Sequence, residues 1–204
     1  MKHYENHDIE KRLYSEGYKL IAGTDEVGRG PLAGPVVAAA CIMPVGCEIE
    51  GVTDSKKVSE KNRVILSDII KEKAIAYYIC FIDPEEIDKI NILEASRKAM
   101  MVSLSKLDPK PDYILTDAMK ITTDIPYEKI IKGDEKSFTI GCASILAKVA
   151  RDEYMEKMDD VYPGYGFKKN KGYPTKEHME ALKTIGVTPI HRRSYSPVRD
   201  ALNK

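Results

Sequence analysis

Residues 35–43 read PVVAAACIM, an unbroken apolar run of small and β-branched side chains. Such a run, with no polar alternation, predicts a strand covered on both faces. Residues 18–27 (YKLIAGTDEV) predict a second strand, apolar at first and ending in acids. Further strands are predicted over 74–82, 112–116 and 129–131, the fourth of the five ending at Asp117. Helical spacing of apolar positions predicts helices over 3–16, from Ser59 onward, over 92–107, from 138 or 139 to 158, and over 175–185. Ser59 and Thr175 are cap-type residues, Pro84 opens one more short helix, and Asp108-Pro109 stops the helix before it. Residues 54–57 read as a loop. Strands alternating with helices predict an α/β domain.

The length of 204 residues suits one domain. Residues 1–160 are expected to form its core and 161–204 a Tyr/Lys-rich loop and helical end of the same domain. Hydrophobic residues make up 43% and charged residues 31%, which excludes a disordered chain. No apolar run approaches the ~18 residues of a membrane span, and the polar first ten residues predict no signal peptide. Cysteines 41, 47, 80 and 142 form no CxxC pair. They are expected to be free thiols in a reducing compartment, the cytoplasm. The net charge of zero hides an asymmetry. Residues 164–204 hold nine Lys/Arg against three acids, while the rest holds 23 against 29. A basic tail on an acidic body fits a polyanion partner. It fits a solubilising tail equally well.

Several segments carry candidate chemistry. Asp25 and Glu26 are adjacent in a strand, where neighbouring side chains point to opposite faces. One of them must enter the interior or line a cleft, which calls for a partner: Arg29 or a cation. The string Gly28-Arg29-Gly30-Pro31-Leu32-Ala33 matches GxGxxA in form. A strand-like PVVAAA follows it rather than a helix, so a dinucleotide loop is rejected. Asp117 stands at a strand end, where α/β sheets present ligands, although such acids also cap turns. Asp134 lies in Lys132-Gly133-Asp134, a turn or a further ligand. Four acids that converged would suit hard divalent cations. Ser144, Lys148 and Asp152 share one helix face, either an exposed edge or a phosphate wall with Lys148 held by Asp152. Residues 162–175 interleave Tyr and Phe with Lys and Gly, which suits sugar or base stacking; packing on the core is the alternative.

In this order the segments GTDEVGRG (23–30), DSKK (54–57), LTD (115–117), KGD (132–134), ASILAKVARD (143–152), 162–175 and HRRSYSPV (191–198) resemble bacterial type 2 ribonuclease H, the ribonuclease HII family. The resemblance covers about 21–198. It implies a ribonuclease H-like α/β core, a central mixed β-sheet flanked by helices with a small helical C-terminal part. It implies an endonuclease that cuts the RNA strand of RNA/DNA hybrids, and cuts 5′ of ribonucleotides embedded in duplex DNA, leaving 3′-OH and 5′-phosphate ends. Asp25, Glu26, Asp117 and Asp134 become the catalytic carboxylates, holding two Mn²⁺ or Mg²⁺ ions. Gly28, Arg29 and Gly30 become the loop that reads the ribose 2′-OH, and Tyr173 the ring packed on the neighbouring sugar. Lys56, Ser144 and Lys148 become phosphate contacts. A monomer is expected, since no interface signal is evident. Two positions depart from the pattern: Ala118-Met119 stand where many members have Gly-Asn, and Cys142 where Ala is frequent. A binding module without catalysis is disfavoured, because clustered acids would only repel a polyanion.

Overall fold

The structure, a computed structural model, describes residues 5–52 and 58–203. The loop at 54–57, and Lys56 with it, lies outside the described residues. The strands are β1 (Ile21–Val27), β2 (Val36–Ile42), β3 (Ala76–Ile82), β4 (Tyr113–Asp117) and β5 (Tyr127–Ile130). The helices are α1 (Asp8–Ser15), α2 (Glu60–Lys73), α3 (Pro84–Ile90), α4 (Ile92–Ser105), α5 (Gly133–Lys136), α6 (Phe138–Val161), α7 (Phe167–Asn170), α8 (Lys176–Thr184) and α9 (Ser196–Leu202). The strands form one mixed sheet in the order β3-β2-β1-β4-β5. β1 pairs antiparallel with β2, placing Asp25 opposite Ala39, and parallel with β4, placing Thr24 opposite Thr116.

The apolar run behaves as its pattern requires, with every residue of β2 buried. Val36, Ala38, Ala40 and Ile42 face the core under α4, with Ala95, Ala99 and Met100. Val37, Ala39 and Cys41 face the other core, under α6, with Ile145, Leu146 and Val149. Helices on both faces remove any place for a polar side chain along β2, which explains the missing alternation.

Local chemistry sets the element ends. Ser59 accepts a hydrogen bond from the N–H of Asn62, and Thr175 one from the N–H of His178. Asp112 does not join the fourth strand. Its carboxylate accepts the N–H groups of Lys19 and Leu20 at 2.8 and 2.9 Å, so β1 and β4 begin together just beyond it. At the start of α6, Glu10 of α1 accepts the Ser137 hydroxyl at 2.6 Å and the Thr139 N–H at 3.0 Å. α5, α7 and α9 are additions to the predicted elements. Cys41, Cys80 and Cys142 are buried, and all four cysteines are free. Among the described residues no helix is long and apolar enough to cross a membrane.

Candidate active site

The parallel pairing of β1 and β4 brings the C-terminal ends of both strands to one place. Asp25 and Glu26 occupy the end of β1, and Asp117 is the last residue of β4. Asp134, buried, arrives on α5 directly after β5. The turn that delivers it depends on Gly133, whose N–H donates to Asp117 Oδ1 at 2.7 Å. A Cβ at Gly133 would lie 2.6 Å from Ile140 Cδ1 and 3.3 Å from that same oxygen, so a larger residue there would have to push the Ile140 side chain aside and crowd the carboxylate. The charges of Glu26, Asp117 and Asp134 all act on Asp25, so the three lie within its electrostatic reach. Asp25 hydrogen-bonds Ser144 on α6 and is held well above the ordinary aspartate range, first by burial and then by the charges of Glu26, Asp117 and Asp134. Glu26 is pushed up to about 7 by burial, against the pull of Arg29, whose Nη1 lies 3.5 Å from Glu26 Oε1.

Among the described residues no three Asp, Glu, His or Cys side chains are drawn tightly enough together to grip an ion. The acids are neighbours coupled by charge, and the donor set nonetheless fits a hard divalent cation. It is all carboxylate oxygen, and Glu26 Oε2 is buried without a hydrogen-bond partner. Nearby cationic charge would reverse the penalty that now favours protons on Asp25 and Glu26.

The loop after β1 is held from beneath by two fully buried arginines, which sequence reasoning missed. Arg192 donates from Nε to the carbonyl of Gly34 at 3.0 Å, from Nη1 to that of Arg29 at 3.0 Å, and from Nη2 to that of Gly28 at 2.5 Å. The Tyr195 hydroxyl adds a bond to the Arg29 carbonyl at 2.6 Å. Arg151 on α6 donates to the carbonyls of Ala33, Pro35 and Lys171. Burial, then the charge of Arg192, lowers Arg151 to about 10, so it remains a cation at neutral pH. In a trans peptide the N–H points away from the C=O. Tying the carbonyls of Gly28 and Arg29 inward turns the N–H groups of Arg29 and Gly30 the other way, and both residues are exposed. Gly28, at φ +94°, has no room for a Cβ, which would lie 2.3 Å from Arg151 Nε. Tyr173, 40% exposed, stands beside the loop, its ring 3.5 Å from where a Cβ at Gly30 would sit.

The remaining predicted contacts divide. Lys148 is held by Asp152 at 2.7 Å, as the helical spacing suggested. Ser144 is buried against Asp25. Not all of the basic tail is surface charge: Lys171 is buried and pairs with Glu156 at 2.6 Å and Glu60 at 3.3 Å. A hollow of about 230 Å³, lined by Met101, Leu104, Ile114 and Ile121, contains no carboxylate.

Two outcomes are expected. Ala118 follows Asp117 at φ +49°, a left-handed conformation that costs a non-glycine residue about 1–2 kcal/mol. Ala118→Gly should therefore stabilise the protein by roughly 0.5–1 kcal/mol after the entropy cost of glycine, read as a rise of about 1–4 °C in Tm. The second concerns Glu26. A carboxyl with a raised folded-state pKa costs nothing while protonated in both states, and its penalty grows as pH climbs from 4.5 to about 7. In EDTA, Glu26→Gln should match the parent near pH 4.5 and exceed its stability above pH 7, by up to about 3 kcal/mol. Thermal or urea denaturation across that range measures it.

Comparison with known proteins gives a consistent answer. The Ribonuclease HII family profile matches residues 22–198. Ribonuclease HII of Enterococcus faecalis is 50% identical over 97% of this chain and 78% of its own length. That of Listeria innocua is 51% identical over 98% and 75%. The crystal structure of ribonuclease H2 from Pyrococcus horikoshii superposes with a TM-score of 0.78 at 29% identity, covering 90% of this chain and 97% of the other. RNase HII of Archaeoglobus fulgidus, solved in complex with PCNA, gives 0.73 at 25%, covering 91% and 98%. The mixed sheet, the meeting of acids at the ends of β1 and β4 and these relatives agree: the chain belongs to the ribonuclease HII family, an enzyme family of hydrolytic endoribonucleases.

Proposed function

We propose that this chain hydrolyses the RNA strand of RNA/DNA hybrids and cuts 5′ of ribonucleotides embedded in duplex DNA, using two Mn²⁺ or Mg²⁺ ions and leaving 3′-OH and 5′-phosphate ends. The observation that carries the reading is the convergence of Asp25, Glu26, Asp117 and Asp134, mutually repelling and with one buried oxygen of Glu26 unmatched. These four would hold the ions. When bound, a metal pair lowers the pKa of an attacking water and offsets charge on the leaving oxygen.

The chain's own groups orient the substrate. Gly133 fixes the Asp117 carboxylate, and Ser144 fixes that of Asp25. The outward N–H groups of Arg29 and Gly30 are assigned to the ribose 2′-OH, the group that distinguishes RNA from DNA. Tyr173 is assigned to the adjoining sugar. Lys148, Ser144 and Lys56 are assigned to phosphates, so affinity should fall with added salt. The protein is expected to act as a monomer.

The test is product mapping on a DNA duplex bearing one ribonucleotide. The parent should cut once, on the 5′ side, only with Mn²⁺ or Mg²⁺, and EDTA should abolish the product. Asp117→Asn should lose cleavage by 100-fold or more, on the order expected when a charge-stabilising group is removed, and keep a cooperative melt. Parent-like cutting by that variant would remove Asp117 from the site.

A further inference from the structure

Beneath Tyr173 runs a polar chain that the proposed hydrolysis does not use. His178 and His191 are fully buried, with their Nε2 atoms 3.0 Å apart. The outer nitrogens dictate how the protons are shared. The backbone N–H of Thr188 donates to His191 Nδ1 at 3.0 Å, so that nitrogen carries a lone pair. The Thr188 hydroxyl lies 2.8 Å from the same atom. At the other end the carbonyl of Tyr173, which only accepts, lies 2.9 Å from His178 Nδ1, so that nitrogen carries a proton. A neutral imidazole has one N–H. His191 must therefore be protonated at Nε2 and donate to a lone pair on His178 Nε2. One arrangement satisfies all four nitrogens, and both rings are neutral in it. A further proton would set two N–H groups against each other, either between the rings or at Thr188. Burial also disfavours the cation, lowering His178 and bringing His191 to about 4.

The pair is enclosed by aromatic rings. Tyr165 stacks on Phe167 at 5.2 Å, Phe167 meets His178 edge-on at 5.3 Å, and Tyr165 lies 5.2 Å from His191. On the other side the chain ends on the residue beside Gly30. The backbone before Tyr173 is tied to the reading loop, since the Gly172 carbonyl accepts the N–H of Leu32 at 2.8 Å. After it comes Pro174, which has no N–H to give. The Tyr173 carbonyl is held by His178 and by the N–H of Thr175 at 2.8 Å.

We propose that His178 and His191 are positioning residues for substrate reading: with fixed, opposite tautomers they anchor the Tyr173 backbone and so set the gap between its ring and Gly30. The proposal rests on the assignment of Tyr173 and the Gly28–Gly30 loop to the substrate. A double-mutant cycle on a DNA duplex bearing one ribonucleotide tests it. His178→Phe keeps the ring volume and loses the donor to Tyr173. It should lower kcat/KM on the order of 10- to 100-fold, as for a small misplacement of a contact group, and should have no further effect in a Tyr173→Ala background. His178→Asn, whose amide nitrogen can reach the Nδ1 position, should recover most of the loss. Equal losses with and without Tyr173 would overturn the proposal. Parent-like cutting by Tyr173→Ala alone would overturn the assignment beneath it instead. Nitrogen NMR of the unaltered protein gives a check that needs no variant: Nδ1–H at His178 and Nε2–H at His191 are expected, and the reverse pair would refute the anchor even if His178→Phe fails to fold.

Discussion

Two guanidinium groups without solvent contact hold the loop after β1 in place. Arg151 and Arg192 meet backbone carbonyls of residues 28–35 and 171, and no carboxylate accepts from either among the described hydrogen bonds. Burying a cation costs several kcal/mol unless its donors are satisfied. Here the acceptors are peptide oxygens that a loop of this shape would otherwise leave unmatched. Cation and loop thus need each other. The loop keeps its conformation because its carbonyls are claimed, and the arginines stay charged because the carbonyls are there.

The carboxylates face the opposite problem. Asp25 is buried and Glu26 half-buried beside other acids, and the nearby positive groups do not cancel that cost: Glu26 stays raised despite Arg29. Stability alone would not retain this arrangement. An acidic cluster at the open ends of two strands lies next to a loop that turns N–H groups outward, and in the proposed reading the two divide the labour. One half would handle charge at the scissile bond, and the other would recognise the sugar.

Much of this was legible in the chain, for identifiable reasons. β2 announced itself because burial on both faces removes polar alternation, and α2 because Ser59 is an effective cap. Asp25 and Glu26 stood out because two charges in an apolar strand demand a partner. The shortest elements escaped notice: α5 and α7 have four residues each, too few for a period to register. Arg151 and Arg192 escaped for a different reason. Arg151 follows Lys148 on a helix and Arg192 sits in a basic tail, so each reads as surface charge. All but one of the carbonyls that hold them lie more than a hundred residues away, and a main-chain acceptor leaves no mark in a sequence. The histidine pair is similar, since only the fold brings the ring of His178 against that of His191, thirteen residues on.

The separation in chain order between Arg192 and the carbonyls it holds has a consequence for synthesis. The acids at 25, 26, 117 and 134 all leave the ribosome before residue 192 does. A nascent chain that ends short of residue 192 carries all four acids in its sequence and lacks the cation that ties the carbonyls of Gly28, Arg29 and Gly34. The loop after β1 can thus take its final shape only when this late segment folds back onto the first hairpin.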